Sequence, residues 1–190
     1  MDHWGVTPIQ AHLASSLAAT ATVVDGIASE QWGQPSTCEE WTVRQLTEHL
    51  VGGCALTASV LAGQDSRARP EYADVPDAEL AAALRPASAA ITEAVSSPGA
   101  LEKIVRVGFG PVPGAVAARL CLVEAIVHGI DLARSTGQVV DFDAAAVDEA
   151  LAFSAPMMTQ LPPGRSPFKP STSVADEAPA IDRLLALLGR

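Results

Sequence analysis

Apolar residues recur at every third or fourth position in six stretches of this 190-residue chain. That spacing places them on one face of an α-helix, because the helix turns by about 100° per residue. Polar segments rich in proline and glycine separate the stretches, as expected between helices. The pattern predicts helices at 8–26, 43–62, 77–95, 113–136, 143–157 and 181–189. Within the segment 96–114, residues 103–107 are predicted to be locally extended.

Two of these helices begin with capping signals. Thr7 can cap the first helix. Thr42 and Gln45 predict a capping box at the start of the second, in which each side chain accepts a hydrogen bond from the other residue's backbone N–H. Trp41 and Leu46 flank that box and are predicted to form the accompanying hydrophobic staple. Local sequence therefore defines the start of the second helix and gives Trp41 a structural role.

Glycine and proline mark three further features. Gly52 and Gly53 lie inside the second helix, where glycine costs stability, so close approach of another backbone is the predicted reason for them. Gly137 follows the fourth helix and suits the left-handed conformation of a C-terminal cap. Pro156 is predicted to stop the fifth helix.

The fold class follows from this order of elements. Four substantial helices with a long connection before the fourth predict an all-α four-helix bundle, up-down with one crossover connection, plus short extra C-terminal helices. Hydrophobic residues make up 48% of the chain and charged residues 18%, which predicts a compact globule. Aromatic residues are only 4%, which favours helix packing over a β-sandwich. No interdomain linker is visible, so residues 1–190 are predicted to form a single domain.

Charge and cysteine content limit the partners and the cellular compartment that the sequence predicts. The formal net charge is −10, which argues against nucleic acid and anionic membranes as partners. No apolar run approaches the roughly 18 residues of a membrane span, and the N-terminus lacks a signal-peptide pattern. Cys38, Cys54 and Cys121 cannot all pair with one another, so reduced thiols in the cytoplasm are predicted.

The fourth helix carries the candidate chemistry. Glu124, His128 and Asp131 fall on nearly one line along an otherwise apolar face, and burying such groups without partners is costly. His49 falls within the apolar face of the second helix. These positions predict a metal site with His49, Glu124 and His128 as ligands. Imidazole and carboxylate ligands suit Zn²⁺, and they also suit Ni²⁺ or Fe²⁺.

Spacing alone leaves a simpler interpretation open. Glu124 and His128 also fit an ordinary i,i+4 helix pair, and Asp131 with Arg134 fits a salt-bridged helix end. His49 would then be a lone core histidine. Because a Glu and a His four residues apart are common by chance, spacing by itself slightly favours this interpretation.

Two motifs change that balance. The sequence PSTCEEWTVRQL at 35–46, followed by HLVGG at 49–53, resembles the N-terminal signature of the mycothiol-dependent maleylpyruvate isomerase family. The sequence EAIVHGIDLARSTG at 124–137 resembles its second signature. The closing IDRLLALLGR at 181–190 resembles an uncharacterised actinobacterial branch. The resemblance spans nearly the whole chain.

The resemblance implies a DinB-like metalloprotein fold with zinc held by His49, Glu124 and His128. It also implies mycothiol, a small thiol, as co-substrate of a transferase or isomerase. Asp131 would orient His128 as an outer partner. The isomerases carry a further C-terminal domain that helps form the substrate site, whereas the matching motifs here end at Arg190. The resemblance therefore supports the metal site more directly than the isomerase reaction.

The sequence is compatible with three functions. In the first, the metal stabilises an external thiol as thiolate, which then attacks a small electrophile. In the second, the bundle binds a metal or ligand without catalysis, and in the third the metal is purely structural. The predicted partners are a small-molecule thiol and an electrophile, without nucleic acid or membrane, and the chain is compatible with a homodimer.

Overall fold

The computed structural model describes residues 8–38, 41–64, 68–108, 110–160 and 168–190. In chain order the elements are α1 (Pro8–Asp25), α2 (Val43–Leu61), α3 (Asp77–Ser96), β1 (Ile104–Val107), β2 (Gly110–Pro113), α4 (Gly114–Thr136), α5 (Ala144–Gln160) and α6 (Ala180–Leu187). Helices predominate, which confirms the all-α prediction. The chain divides into two compact units, with the boundary between Asp141 and Phe142. The prediction of one domain over residues 1–190 stays a prediction.

The first unit is a four-helix bundle. Helix α1 packs against α3 and α4, and α2 packs against the same two helices. The connection from α3 to α4 therefore joins diagonal partners, as the predicted crossover requires, and the connection from α1 to α2 also crosses the diagonal. Helix α4 is the most enclosed element, with Leu122, Ile126 and Leu132 fully buried. Any polar side chain on its inner face must therefore find a partner within the protein.

Local signals set the helix ends. The nitrogen of Gln45 donates to Oγ1 of Thr42 at 3.2 Å, and the nitrogen of Thr42 donates to Oε1 of Gln45 at 2.9 Å, which confirms the capping box. Gly137 ends α4 with a φ of 70°, a left-handed conformation that favours glycine. The predicted cap at Thr7 lies outside the described residues.

The predicted end of the fifth helix is wrong. Pro156 lies inside α5, which continues to Gln160. An interior proline removes one backbone hydrogen bond. Met157 and Met158 follow it, and methionine is a strong helix former. The helix therefore continues despite the one missing hydrogen bond.

A short hairpin lies within the α3–α4 connection. Strands β1 and β2 pair antiparallel, with Val105 opposite Val112. The predicted extension at 103–107 is confirmed over Ile104–Val107. The hairpin leads directly into α4, which begins after Pro113.

The second unit consists of α5 and α6 packed together, followed over the described part by a short C-terminal turn. Asp143 starts α5, because its Oδ1 accepts a hydrogen bond from the nitrogen of Ala145 at 2.8 Å. Leu184 and Leu188 are fully buried. Among the described helices of the whole chain, none has the length and apolar character needed to cross a membrane.

Candidate metal centre

Two neighbouring helices of the bundle bring the predicted ligands together. Helix α2 places His49, and α4 places Glu124 and His128 one turn apart. The ligand atoms of these three residues all lie within 4.8 Å of one another. Among the described residues, this is the group of histidine, cysteine and acidic side chains that could hold a metal ion.

Glu124 is the centre of the group. Its Oε2 lies 2.8 Å from Nε2 of His49 and 3.3 Å from Nε2 of His128. The two imidazole rings are 5.1 Å apart and meet edge to face. Two imidazole nitrogens and a carboxylate oxygen at these separations are a donor set that fits one divalent ion, with coordination positions left over.

The group is closed on one side and open on the other. The side chain of His128 is only 5% exposed, whereas that of His49 is 20% exposed and that of Glu124 is 34% exposed. A small molecule can therefore approach from the side of His49 and Glu124. A purely structural metal site is usually closed by protein ligands all round, so this exposure favours a working site.

Asp131 anchors the closed side. Its carboxylate is 1% exposed and its Oδ2 lies 3.2 Å from Nδ1 of His128. The hydroxyl of Thr37 donates to Oδ1 of Asp131 at 3.0 Å, and Ser135 in turn donates to the Asp131 carbonyl oxygen at 2.6 Å. The carboxylate thus fixes the His128 ring with Nε2 directed at Glu124, the arrangement of an outer partner of a metal-bound histidine.

Burial and hydrogen bonding set the protonation states. Burial opposes protonation of His128, but hydrogen bonds to Asp131 and Glu124 outweigh it and raise its pKa to about 9. Burial favours the neutral form of Glu124, but hydrogen bonds from His128 and His49 hold its pKa well below the usual value. Burial lowers the pKa of His49, although its hydrogen bond to Glu124 opposes the shift. At neutral pH His128 is therefore protonated on both ring nitrogens, and it donates Nδ1–H to Asp131 and Nε2–H to Glu124.

Trp41 is a site residue that sequence reasoning placed only in the helix cap. Its ring lies 4.4 Å from the His49 ring and 6.1 Å from the His128 ring, centre to centre. The indole therefore forms an apolar wall of the centre. Its place immediately before the cap of α2, two turns before His49, is the signal that could have indicated this.

Arg69 was also missed. Its Nη1 donates to Nδ1 of His49 and lies 3.2 Å from Nε2 of the same ring. The predicted close approach to the glycine pair of α2 is found here, because a Cβ on Gly52 would lie 3.2 Å from the carbonyl oxygen of Pro70. The glycines signalled that some backbone approaches α2, but they could not show which one.

Cys54 and Cys121 are buried, and Cys121 is not an activated nucleophile. A hydrogen bond with Cys54, together with burial, raises the pKa of Cys121 well above the usual value. The Cys121 thiol therefore stays protonated at neutral pH. This agrees with the prediction that Cys54 and Cys121 act as small core residues.

Known proteins are similar to this chain over most of its length. The family model described as the mycothiol maleylpyruvate isomerase N-terminal domain matches residues 13–133. Two uncharacterized proteins of Mycobacterium tuberculosis, from strains CDC 1551 / Oshkosh and H37Rv, are 33% identical over 187 residues. Each alignment covers 96% of this chain and 97% of the relative.

Solved structures show the same fold. The crystal structure of the mycothiol-dependent maleylpyruvate isomerase matches with a TM-score of 0.63 at 16% identity, covering 84% of this chain and 73% of that one. A His-to-Ala mutant of that enzyme matches with a TM-score of 0.58 at 17% identity, with the same coverage. Because the family model spans more than half of the sequence, this chain belongs to the mycothiol maleylpyruvate isomerase N-terminal domain family.

Proposed function

We propose that this protein is a metal-dependent enzyme in which a small external thiol attacks a small electrophile. A transferase would keep the thiol on the product, whereas an isomerase would release it again. His49, Glu124 and His128 would hold one Zn²⁺, and the same donor set would also accept Ni²⁺ or Fe²⁺. The observation that supports the proposal is the convergence of two imidazoles and a carboxylate within 4.8 Å, with the side of His49 and Glu124 open to solvent.

Each residue has a task in this proposal. A bound divalent ion would supply a Lewis acid that favours the thiolate form of a coordinating thiol. Glu124 would offset part of the ion's charge. Asp131 holds the orientation of the His128 ring, so the nitrogen that faces Glu124 needs little reorganisation to act as a ligand. Trp41 lies beside the two rings and would give the centre an apolar wall on that side.

The thiol is proposed to come from outside the protein. Cys54 and Cys121 are buried, and the Cys121 thiol stays protonated at neutral pH. The family and the mycothiol-dependent enzyme of similar fold support mycothiol as that thiol. Cys54 and Cys121, as buried thiols, also fit a reducing compartment, so a cytoplasmic location is part of the proposal.

A second candidate rests on the hydrogen bonds of the same group. Glu124 already pairs with both histidines, and Asp131 pairs with His128, so the polar groups satisfy one another without an ion. Such a network also suits a non-catalytic ligand-binding bundle. The experiment must therefore test metal binding and reaction separately.

Elemental analysis of the purified protein tests the first step. Wild type is expected to carry about one divalent metal per chain, whereas H49A and H128A should lose it. H12A is the matched control, since His12 lies on α1 outside the ligand group. Conjugation assays with mycothiol and a panel of electrophiles test the second step. Equal metal content in all four proteins would reject the metal site and favour the second candidate. Metal binding without thiol conversion would keep the metal site and reject the proposed reaction.

A further inference from the structure

Arg69 lies at the open side of the candidate centre. It belongs to the connection between α2 and α3, and its side chain is exposed. Its Nη1 donates to Nδ1 of His49, whose Nε2 faces Glu124 at 2.8 Å. The guanidinium therefore contacts one of the three proposed ligands directly, on the side from which a small molecule must enter.

Two glycines of α2 leave room for the segment that carries Arg69. A Cβ on Gly52 would lie 3.4 Å from Cβ of Arg69 and 3.2 Å from the Pro70 carbonyl oxygen, which is tighter than most real contacts. A Cβ on Gly53 would lie 3.7 Å from Cζ of the guanidinium. Glycine weakens a helix interior, so α2 gives up stability at the place where the Arg69 segment lies against it.

Arg69 has no carboxylate partner among the residues that the structure describes. Arg44, by contrast, pairs with Glu48 at 3.0 Å, and Arg85 donates to Asp25 at 3.0 Å. The His49 ring offers Arg69 no counter-charge. A guanidinium is always charged, and its planar fork of donors matches the two oxygens of a carboxylate.

We propose that Arg69 binds a carboxylate of the small molecule that the centre accepts. The inference rests on the proposed function and narrows it, because it assigns the ligand an anionic group within hydrogen-bond reach of the His49 side. That carboxylate belongs either to the electrophile or to a carboxylate-bearing thiol used in place of mycothiol. A neutral analogue of the same length would leave the guanidinium without its partner and would bind less tightly.

Calorimetric binding to the purified protein tests this with two matched pairs of ligands. The thiol pair is 3-mercaptopropionate and 3-mercaptopropanol, and the thiol-free pair is succinate and succinamide. Within each pair, the first ligand carries carboxylate and the second carries a neutral group in its place. The variants are R69Q, which removes the charge, and R69K, which keeps the charge but loses the fork. R85Q is the control, since it removes one exposed arginine charge from α3, away from the centre.

Wild type and R85Q should bind the carboxylate member of at least one pair about tenfold more tightly than its neutral partner. R69Q should bind both members equally, and R69K should fall between. A preference in the thiol pair assigns the carboxylate to the thiol, and a preference in the succinate pair assigns it to the electrophile.

The proposal is overturned if R69Q keeps the wild-type preference, or if wild type shows no preference in either pair. Succinate binding that depends on Arg69, in a protein that binds neither thiol, would support the Arg69 site while rejecting the thiol-dependent function. Thermal melts of R69Q and R69K identify a loss of fold, and the R69K result stands if R69Q does not fold.

Discussion

Asp131 and His128 form a buried pair inside α4, with Oδ2 of the aspartate 3.2 Å from Nδ1 of the histidine. The two residues are three positions apart, so the helix itself sets their separation. The pair fixes the ring so that Nε2 faces Glu124. The geometry of α4 alone thus orients the His128 ring, which lies where α4 meets α2.

Removing that carboxylate should weaken metal binding without removing a ligand. We expect D131N to lower zinc affinity by about 10- to 100-fold, because an amide supports the His128 ring less strongly. Competition with a chromophoric chelator measures the affinity. T37V is the companion variant, since it removes the hydroxyl that donates to Asp131 and should cause a smaller loss. Unchanged affinity in D131N would exclude an orienting role for Asp131.

The metal-free protein should lose stability as the pH rises. The folded-state pKa of His128 is about 9, above its ordinary value of 6.5. A raised pKa contributes stability that is fully present below about pH 6.5 and is lost as the pH rises through about 9. The shift corresponds to at most about 3 kcal/mol.

Urea melts in the presence of a chelator, between pH 6 and pH 10, measure this loss. Other groups also titrate above pH 9, so the comparison is with H128Q, which cannot take up the proton. The decline between pH 6 and pH 9 should be steeper in wild type than in H128Q. Parallel curves would show that His128 has an ordinary pKa in the folded protein.

The two helical glycines should respond differently to alanine. G53A should stabilise the protein by up to about 1 kcal/mol, because alanine favours the helix and its Cβ would meet Arg69 at an ordinary 3.7 Å. G52A should gain less or lose stability, because its Cβ would lie 3.2 Å from the Pro70 carbonyl oxygen. Chemical denaturation of both variants gives the comparison. Equal stabilisation would show that the Arg69–Pro70 segment does not need the close approach.

Activity should require an external thiol and Glu124, but no protein cysteine. Replacing Cys38, Cys54 and Cys121 together by serine or alanine should leave thiol conjugation largely intact, after correction for lost stability. E124Q should reduce it sharply, because a neutral amide is a poorer ligand. Initial rates with and without mycothiol, and after chelation and zinc addition, measure both effects. Turnover without added thiol or without metal would rule out the proposed chemistry.

The sequence alone determined the features that depend on neighbours along the chain. Thr42 and Gln45 start α2 through hydrogen bonds between residues three apart, and Gly137 ends α4 through its own backbone freedom. The spacing of Glu124 and His128 likewise follows from one helix. The apolar face of α2 made His49 a candidate partner, and motif resemblance favoured it, but no spacing along the chain could show that α2 and α4 are in contact.

Tertiary structure alone decided how the centre is enclosed. It set Trp41 against the two imidazole rings and brought Arg69 to His49 from a connection 20 residues further along the chain. It also decided the protonation of His128, because the pKa of that ring depends on burial by the packed helices as well as on its neighbours Asp131 and Glu124 in α4. Such contacts depend on how helices pack, and packing brings together residues that no local spacing relates.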